Sequence, residues 1–483
     1  MDKSPHLAGR IGLVLGPALA ALMLLLGAPD GLAFPAWATG ALLVWMAIWW
    51  ATEPIPIPVT SLLPLIILPL FDAGSPKQIG SGYADHIVLL LLGGFIVALS
   101  IERWNLHKRI ALNVVSAVGA SPLSLVAGFM IATALLSMWI SNTATTLMMV
   151  PIALSAAAAL KDDDGRFVTA LLLGVCYAAS IGGVGTPIGT PTNLIAIDWL
   201  QNNAGASISF VEWMSFGIPA VCLLIPAAWW SVTRGLGAIE NSDGAIQEVR
   251  SQKRALGKMT VPEQRVALVF AFVAALWVSR RWTVQGLEAI GWDTLGQYSG
   301  AQVDMMIAML GAVLVFIIPA GKGESRALLN WSEATKLPWG VLLLFGGGIA
   351  LGRAVRDTGL SAWIGENLEP LSVLPPIVFI AVVVALVIFL TELTSNVATM
   401  TTLAPILGAL SVAIGAAPAS LLAPAAVAAS CAFMLPVATA PNAIIYATDE
   451  IPIGKMISRG LRVNLIGIAV ITAIGFWLAP LVL

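Results

Sequence analysis

The chain has 483 residues, 58% of them hydrophobic and only 10% charged, where ordinary soluble domains carry roughly a quarter charged residues. This excludes an ordinary soluble domain and describes an all-α polytopic membrane protein. A formal net charge of −2 with no dense basic tail argues against nucleic acid as a partner, and the scattered Cys176, Cys222, Cys431, His6, His86 and His107 argue against a metal centre or haem.

Apolar runs able to cross a ~30 Å hydrocarbon core, or part of it, recur along the whole chain. The first, 11–28, follows Lys3 and Arg10, and its length favours a retained helix over a cleaved signal even though Ala36-Trp37-Ala38 has the form of a cleavage site. Runs at 37–51 and 56–71 enclose Trp45, Trp49 and Trp50, which suit an interface or an aromatic belt equally. Between them, in "WWATEPIPIPVTSLLPLIILP" (49–69), Glu53 and the prolines read as devices that set a helix terminus.

Further runs follow at 88–100, 110–119, 123–140, 144–160, 167–181, 193–201 and 213–233. The Asp162-Asp163-Asp164 run reads as a solvated loop, and no Walker lysine follows the glycines of "SIGGVGTPIGTPTN" (180–193). The hydrophilic stretch from Arg234 to Arg265 carries Arg234, Arg250, Lys253, Arg254, Lys258 and Arg265 and belongs, with the N-terminus, on the cytoplasmic side. Beyond it lie runs at 263–279, 302–319, 340–352, 375–394, 399–414, 421–437 and 461–482. Those too short to span pair as re-entrant hairpins or discontinuous helices, which require burial in protein or contact with water.

The hydrophilic stretch separates two copies of one pattern. A shift of 254 places Gly93-Gly94 on Gly347-Gly348, Leu106 on Leu360, Ser137 on Thr391, Ser141-Asn142 on Ser395-Asn396, Ala144-Thr145 on Ala398-Thr399 and Pro151-Ile152 on Pro405-Ile406. A shift of 249 then aligns "PIGTPTNLI" (187–195) with "PVATAPNAI" (436–444). Each half reads as a hairpin at the paired glycines, a helix broken at Ser-Asn, and a second break ending in Asn. Duplicated broken helices point to a secondary transporter with its site near the bilayer midplane.

At "SMWISNTATTLMMVP" (137–151) and "TELTSNVATMTTLAP" (391–405) a break frees carbonyls on one side and amides on the other. Carbonyl, amide and hydroxyl oxygens suit a hard cation such as Na⁺, while helix N-termini suit an anion. Ser and Thr in membrane helices commonly bond back to their own turn; the repetition of both clusters favours a site. Neither cluster nor either Asn-ended loop contains Lys or Arg, so an anion there is held by amides, hydroxyls, helix N-termini and co-bound cations, which favours cation coupling over proton coupling. Glu392 falls on Met138, so it is not a repeated element, and it reads equally as a proton relay or as a structural hydrogen-bonder. A channel would show continuous polar stripes, and an intramembrane enzyme would need a catalytic constellation that these segments lack.

Together "SNTATTLMMVP", "GTPTN", "SNVATMTTLAP", "ATAPN" and "WWATEPIPIPVTSLLP" resemble the divalent anion/sodium symporter family, from about residue 40 to the C-terminus. The resemblance implies a homodimer of about eleven transmembrane helices plus two opposed re-entrant hairpins in an inverted repeat, with scaffold and transport domains moving as an elevator. Residues 1–85 would be N-terminal scaffold, 86–212 first-repeat transport elements with a scaffold helix near 107–119, 213–338 the cytoplasmic loop and second scaffold, and 339–483 the second transport elements.

Carried over by motif, one Na⁺ site implies Ser137, Ser141, Asn142 and Gly189, and the other Thr391, Thr394, Asn396 and Ala438. The substrate carboxylates would meet Ser141, Asn142 and Thr143 on one side and Ser395 and Asn396 on the other, with Thr190, Pro191 and Thr439 close by and Val397 in the substrate site. Val397 stands where many members have threonine, and Ala440 where proline is common. The expectation is therefore a Na⁺-coupled importer of C4-dicarboxylates (succinate, malate, fumarate) in a bacterial inner membrane. It is not an enzyme and has no organic cofactor; its partners are the dicarboxylate, Na⁺ and lipid. Anion exchange without a cation, or Na⁺-coupled citrate or sulfate transport, are the alternatives.

Overall fold

The computed structural model describes residues 7–119, 121–160, 165–206, 208–236, 243–321, 324–368 and 375–483. Lys3, His6 and the Asp162-Asp163-Asp164 run lie outside the described residues. The first half contains α1 (Leu7–Leu26), α2 (Phe34–Thr52), α3 (Ile57–Thr60), α4 (Pro64–Leu70), α5 (Pro76–Gly80), α6 (His86–Arg103), α7 (Leu106–Val118), α8 (Pro122–Ser137), α9 (Asn142–Ala158), α10 (Arg166–Gly183), α11 (Pro191–Ala204) and α12 (Phe210–Thr233). After α13 (Asp243–Ala255) the second half contains α14 (Val261–Ala289), α15 (Gly300–Ile317), α16 (Trp331–Ala334), α17 (Trp339–Asp357), α18 (Leu360–Leu368), α19 (Pro376–Thr391), α20 (Asn396–Ala413), α21 (Ala419–Ala429), α22 (Ala440–Tyr446), α23 (Ile453–Trp477) and α24 (Ala479–Val482). A two-stranded ribbon, β1 (Pro319–Gly321) with β2 (Glu324–Ala327), follows α15. Among the described residues nine helical stretches are long and apolar enough to cross a membrane.

The repeat is real, but its hairpins lie elsewhere than at the paired glycines. Helix α6 runs unbroken through Gly93-Gly94 and α17 through Gly347-Gly348. A Cβ at Gly93 would sit 2.7 Å from the Ala308 backbone in α15, and one at Gly347 would collide with the Ser61 carbonyl. These glycines permit close approach of helices inside the membrane, so they bend nothing. The hairpins are instead α8–α9 and α19–α20, each turning at the Ser-Asn motif. Gly174 lies on Val126 and Met130, and Gly182 on Ala134, so α8 and α10 run parallel. Asn142, at the start of α9, meets Gly183 at the end of α10, so α9 runs back against both.

The broken rods are α10–α11 and α21–α22. Helix α11 lies along α21 and α10 along α22. The first limb of each rod therefore pairs with the second limb of the other, and the rods are antiparallel. The two halves are thus inverted.

Other expectations change in detail. The run 56–71 divides into α3 and α4, with Glu53 ending α2 in a left-handed conformation (φ 45°) and Pro56 starting α3. Trp50 is fully buried and donates Nε1–H to Ser61 Oγ at 3.2 Å, so it serves the interior of the chain and not a membrane belt. The hydrophilic stretch contains the amphipathic α13, which buries Ala245, Ile246 and Val249 against α7 and α9. Arg109 in α7 ties the start of α14 to this region through Glu263 (3.1 Å) and the Gly257 carbonyl (2.9 Å).

Candidate functional site

The Ser-Asn turns contain neither Gly nor Pro, and only the first is closed by a side-chain cap. Ser141 precedes α9, and its Oγ accepts the Ala144 amide at 3.3 Å, as an N-cap serine does. Ser395 holds the same position before α20 but makes no side-chain cap bond. Its hydroxyl remains available to a ligand.

Each tip gathers oxygens around one hydroxyl. Ser137 Oγ, 0% exposed, lies 2.7 Å from Asn142 Oδ1 and 2.6 Å from the Ala179 carbonyl. Thr391 Oγ1 lies 2.8 Å from Asn396 Oδ1 and 2.9 Å from the Ala429 carbonyl. A hydroxyl has one proton for two acceptors, so each cluster holds more lone pairs than protons. Such clustered oxygens match what a hard cation requires.

The breaks in the rods face these tips. Asn193 Nδ2 donates to the Gly183 and Thr186 carbonyls at 3.0 and 2.8 Å, fixing the first loop. Asn442 Nδ2 donates to the Ala432 and Leu435 carbonyls at 3.0 and 2.8 Å, fixing the second. The side-chain amide nitrogen of the repeated Asn therefore braces each loop. Helices α8, α10, α19 and α21 end at this level, and α9, α11, α20 and α22 begin there. Carbonyl ends favour cations and amide ends favour anions, so the arrangement has the chemistry to accept both charges side by side.

Glu392 carries no such duality. Its Oε1 accepts the Phe433 and Met434 amides (2.7 and 3.0 Å) and the Asn464 side-chain amide (2.7 Å), and its Oε2 accepts Met434 and Leu435 (both 3.1 Å). The carboxylate is thus a cap for three successive amides of the second loop, and the hydrogen-bonder reading describes it. In the first repeat, Val184 and Gly185 satisfy their amides within the loop, and Thr186 Oγ1 bonds the Met138 carbonyl instead.

The remaining motif residues distribute around the clusters. A Cβ at Gly189 would collide with the Gly183 carbonyl, which places Gly189 in the first loop's closed turn. Thr190 and Thr439 are the N-cap residues of α11 and α22, and Thr439 Oγ1 accepts the Asn442 amide at 3.2 Å; Pro191 is the first residue of α11. Ala438 bonds its amide to Leu435 within the second loop. Thr394 turns its hydroxyl to Leu390 O (3.0 Å) and Thr399 Oγ1 (2.6 Å), away from the Asn396 cluster. Ser141 is exposed and Thr143 half-buried at the first tip. Val397 packs with Ala398 on the α2–α5 apolar cluster containing Leu68 and Ile79. The Ala179 and Ala429 carbonyls escaped the sequence reading because a backbone oxygen leaves no mark in a residue's identity.

Comparison with known proteins agrees with this architecture. Residues 9–483 match the sodium:sulfate symporter transmembrane region. Relatives include the sodium-dependent dicarboxylate transporter SdcS of Staphylococcus saprophyticus, 42% identical over 495 residues, covering 100% of this chain and 93% of the relative. The transporter of the same name from Staphylococcus aureus is 41% identical with the same coverage. Among solved structures, Neisseria gonorrhoeae MtrF aligns with a TM-score of 0.61 at 17% identity, covering 95% of this chain and 97% of MtrF. The Alcanivorax borkumensis YdaH transporter aligns at 0.56 and 15%, covering 92% and 98%; both likenesses concern the fold alone.

Proposed function

The chain belongs to the sodium:sulfate symporter family of membrane transporters, the divalent anion/sodium symporters, and from that premise we propose that it imports C4-dicarboxylates coupled to Na⁺. The observation that carries this reading is the duplicated oxygen cluster, Ser137/Asn142/Ala179 and Thr391/Asn396/Ala429, in hairpin tips and loops whose own sequence contains no Lys or Arg. Two Na⁺ ions, one per cluster, supply the positive charge that a dianion needs. Gly189 and Ala438 close the two cation berths from the loops, and Ser141 and Thr394 flank them. Succinate, malate or fumarate then spans between the tips, one carboxylate at Ser141, Asn142 and Thr143 and the other at Ser395 and Asn396, with Thr190, Pro191, Val397 and Thr439 as its walls.

Support for the dicarboxylate comes from the names of the staphylococcal relatives. Support for an elevator comes from the inverted hairpins and rods, which form one body beside α1–α6 and α14–α17. The reading includes a homodimer in a bacterial inner membrane with the N-terminus and α13 in the cytoplasm, since the basic residues cluster there.

Uptake of labelled succinate into proteoliposomes tests it. Flux should rise steeply with external Na⁺ and proceed into vesicles that hold no internal substrate. Uptake indifferent to Na⁺ rejects the coupling; uptake only into vesicles loaded with counter-substrate identifies an exchanger. Competition by citrate and sulfate fixes the substrate class.

A further inference from the structure

Two hydrogen bonds cross from one repeat to the other beside the cation clusters. The Cys176 thiol in α10 donates to Asn442 Oδ1 at the start of α22 over 2.8 Å, and both residues are 0% exposed. The orientation of Asn442 is fixed, because its Nδ2 already serves two carbonyls and only the oxygen faces the thiol. On the opposite flank Thr192 Oγ1, at the start of α11, lies 2.8 Å from Ser430 Oγ, at the end of α21. Neither bond has a repeat-related copy. By a shift of 250 Cys176 falls on Ala426 and Ser180 on Ser430, and by a shift of 249 Thr192 falls on Pro441. Ser180 Oγ and Asn193 Oδ1, the atoms that the missing copies would engage, are buried and make no hydrogen bond.

Each bond joins a close chain neighbour of one cluster's carbonyl to the brace of the other loop or to that brace's immediate neighbour. Cys176 stands one turn before Ala179, whose carbonyl belongs to the first cluster, and it holds Asn442, which fixes the second loop. Ser430 adjoins Ala429, whose carbonyl belongs to the second cluster, and it holds Thr192, the neighbour of the first brace Asn193. We propose that Cys176, Thr192 and Ser430 are positioning residues that couple the two cation berths, so that filling one raises the affinity of the other. Coupling of this kind is reciprocal and requires a physical link between two elements that order together. The inference rests on the reading of both clusters as Na⁺ berths.

The test is a Na⁺ titration of succinate uptake by full-length protein in proteoliposomes, for wild type, C176A, T192V, the C176A/T192V pair, and the rescue variants C176S and T192S. Wild type should show a Hill coefficient for Na⁺ near 2, and the pair a value falling toward about 1 with half-saturating Na⁺ rising about fivefold or more. C176S and T192S retain a donor and should restore the wild-type curve. A purely structural role would lower the maximal rate or the amount of folded protein at an unchanged Hill coefficient, and that result overturns the coupling. Should the pair fail to fold, each single variant should show half of the same trend, and its absence in both is equally decisive. Wild-type uptake that depends on Na⁺ with a coefficient near 1 overturns the coupling alone, whereas uptake without Na⁺ dependence overturns the underlying reading.

Discussion

The two hairpins share a motif and differ in what holds them. The α8–α9 tip faces a loop that closes on itself through its own turns, with Ser141 as an N-cap and a Thr186 bond to the Met138 carbonyl. The α19–α20 tip places a buried carboxylate at the matching position, and Glu392 gathers the amides of a loop that does not satisfy them itself. Their surroundings differ as well. Helix α20 lies against α2, α11, α17 and α18, while α9 lies against α10, α13 and α22. One arrangement of oxygens is thus supported by two mechanical solutions, and under the proposed reading the cluster residues should respond alike to substitution while the supports respond differently.

The largest effects should fall on the shared part. Asn142→Ala and Asn396→Ala each remove an oxygen from a charged ligand, about 1.5–3 kcal/mol or roughly 10- to 150-fold in apparent Na⁺ affinity. Succinate flux at fixed Na⁺ reports it, and a loss confined to one of the two breaks the symmetry argued here. Next comes Glu392→Gln, which turns an amide donor toward backbone donors and costs about 1–3 kcal/mol. Thermal unfolding in detergent should show the loss, and Met138→Gln in the other repeat should leave Na⁺ affinity nearly unchanged.

A smaller contrast separates the two cap serines. Ser141→Ala should lower stability by about 1 kcal/mol through the lost cap, while Ser395→Ala should not; both should weaken succinate binding in competition assays. The smallest effect belongs to Val397→Thr. Because Val397 leans on the α2–α5 cluster, the added hydroxyl should change the KM for succinate by less than about threefold. A larger improvement would show that a hydroxyl at this wall reaches a substrate carboxylate.

Much of the fold was legible from repetition. The shifts of 254 and 249 paired Ser137 with Thr391 and Asn193 with Asn442, and the structure pairs them in the same roles. Helix-breaking chemistry misled the placement of the hairpins, since Gly93-Gly94 sits in a straight helix and the real turns contain Met, Trp, Ile, Leu and Thr. In a membrane a glycine records the nearness of a neighbouring helix as often as a bend. Cys176 read as a small core residue, and only its distance to Asn442 gives it a partner. The inward curl of the polar stretch as α13 was hidden by its charge, because Ala245, Ile246 and Val249 form a narrow stripe among polar residues.

The absence of Lys and Arg from both tips and both loops has a consequence for leakage. A guanidinium would hold a dianion whether or not Na⁺ was present, and the loaded protein could then cross without its ions. Here the ionisable side chain of the second tip itself is Glu392, an acid already held by loop amides and Asn464 and offering nothing to a lone dianion. Under the proposed mechanism substrate residence is conditional on Na⁺ occupancy, so an uncoupled crossing is disfavoured before any gate has to close.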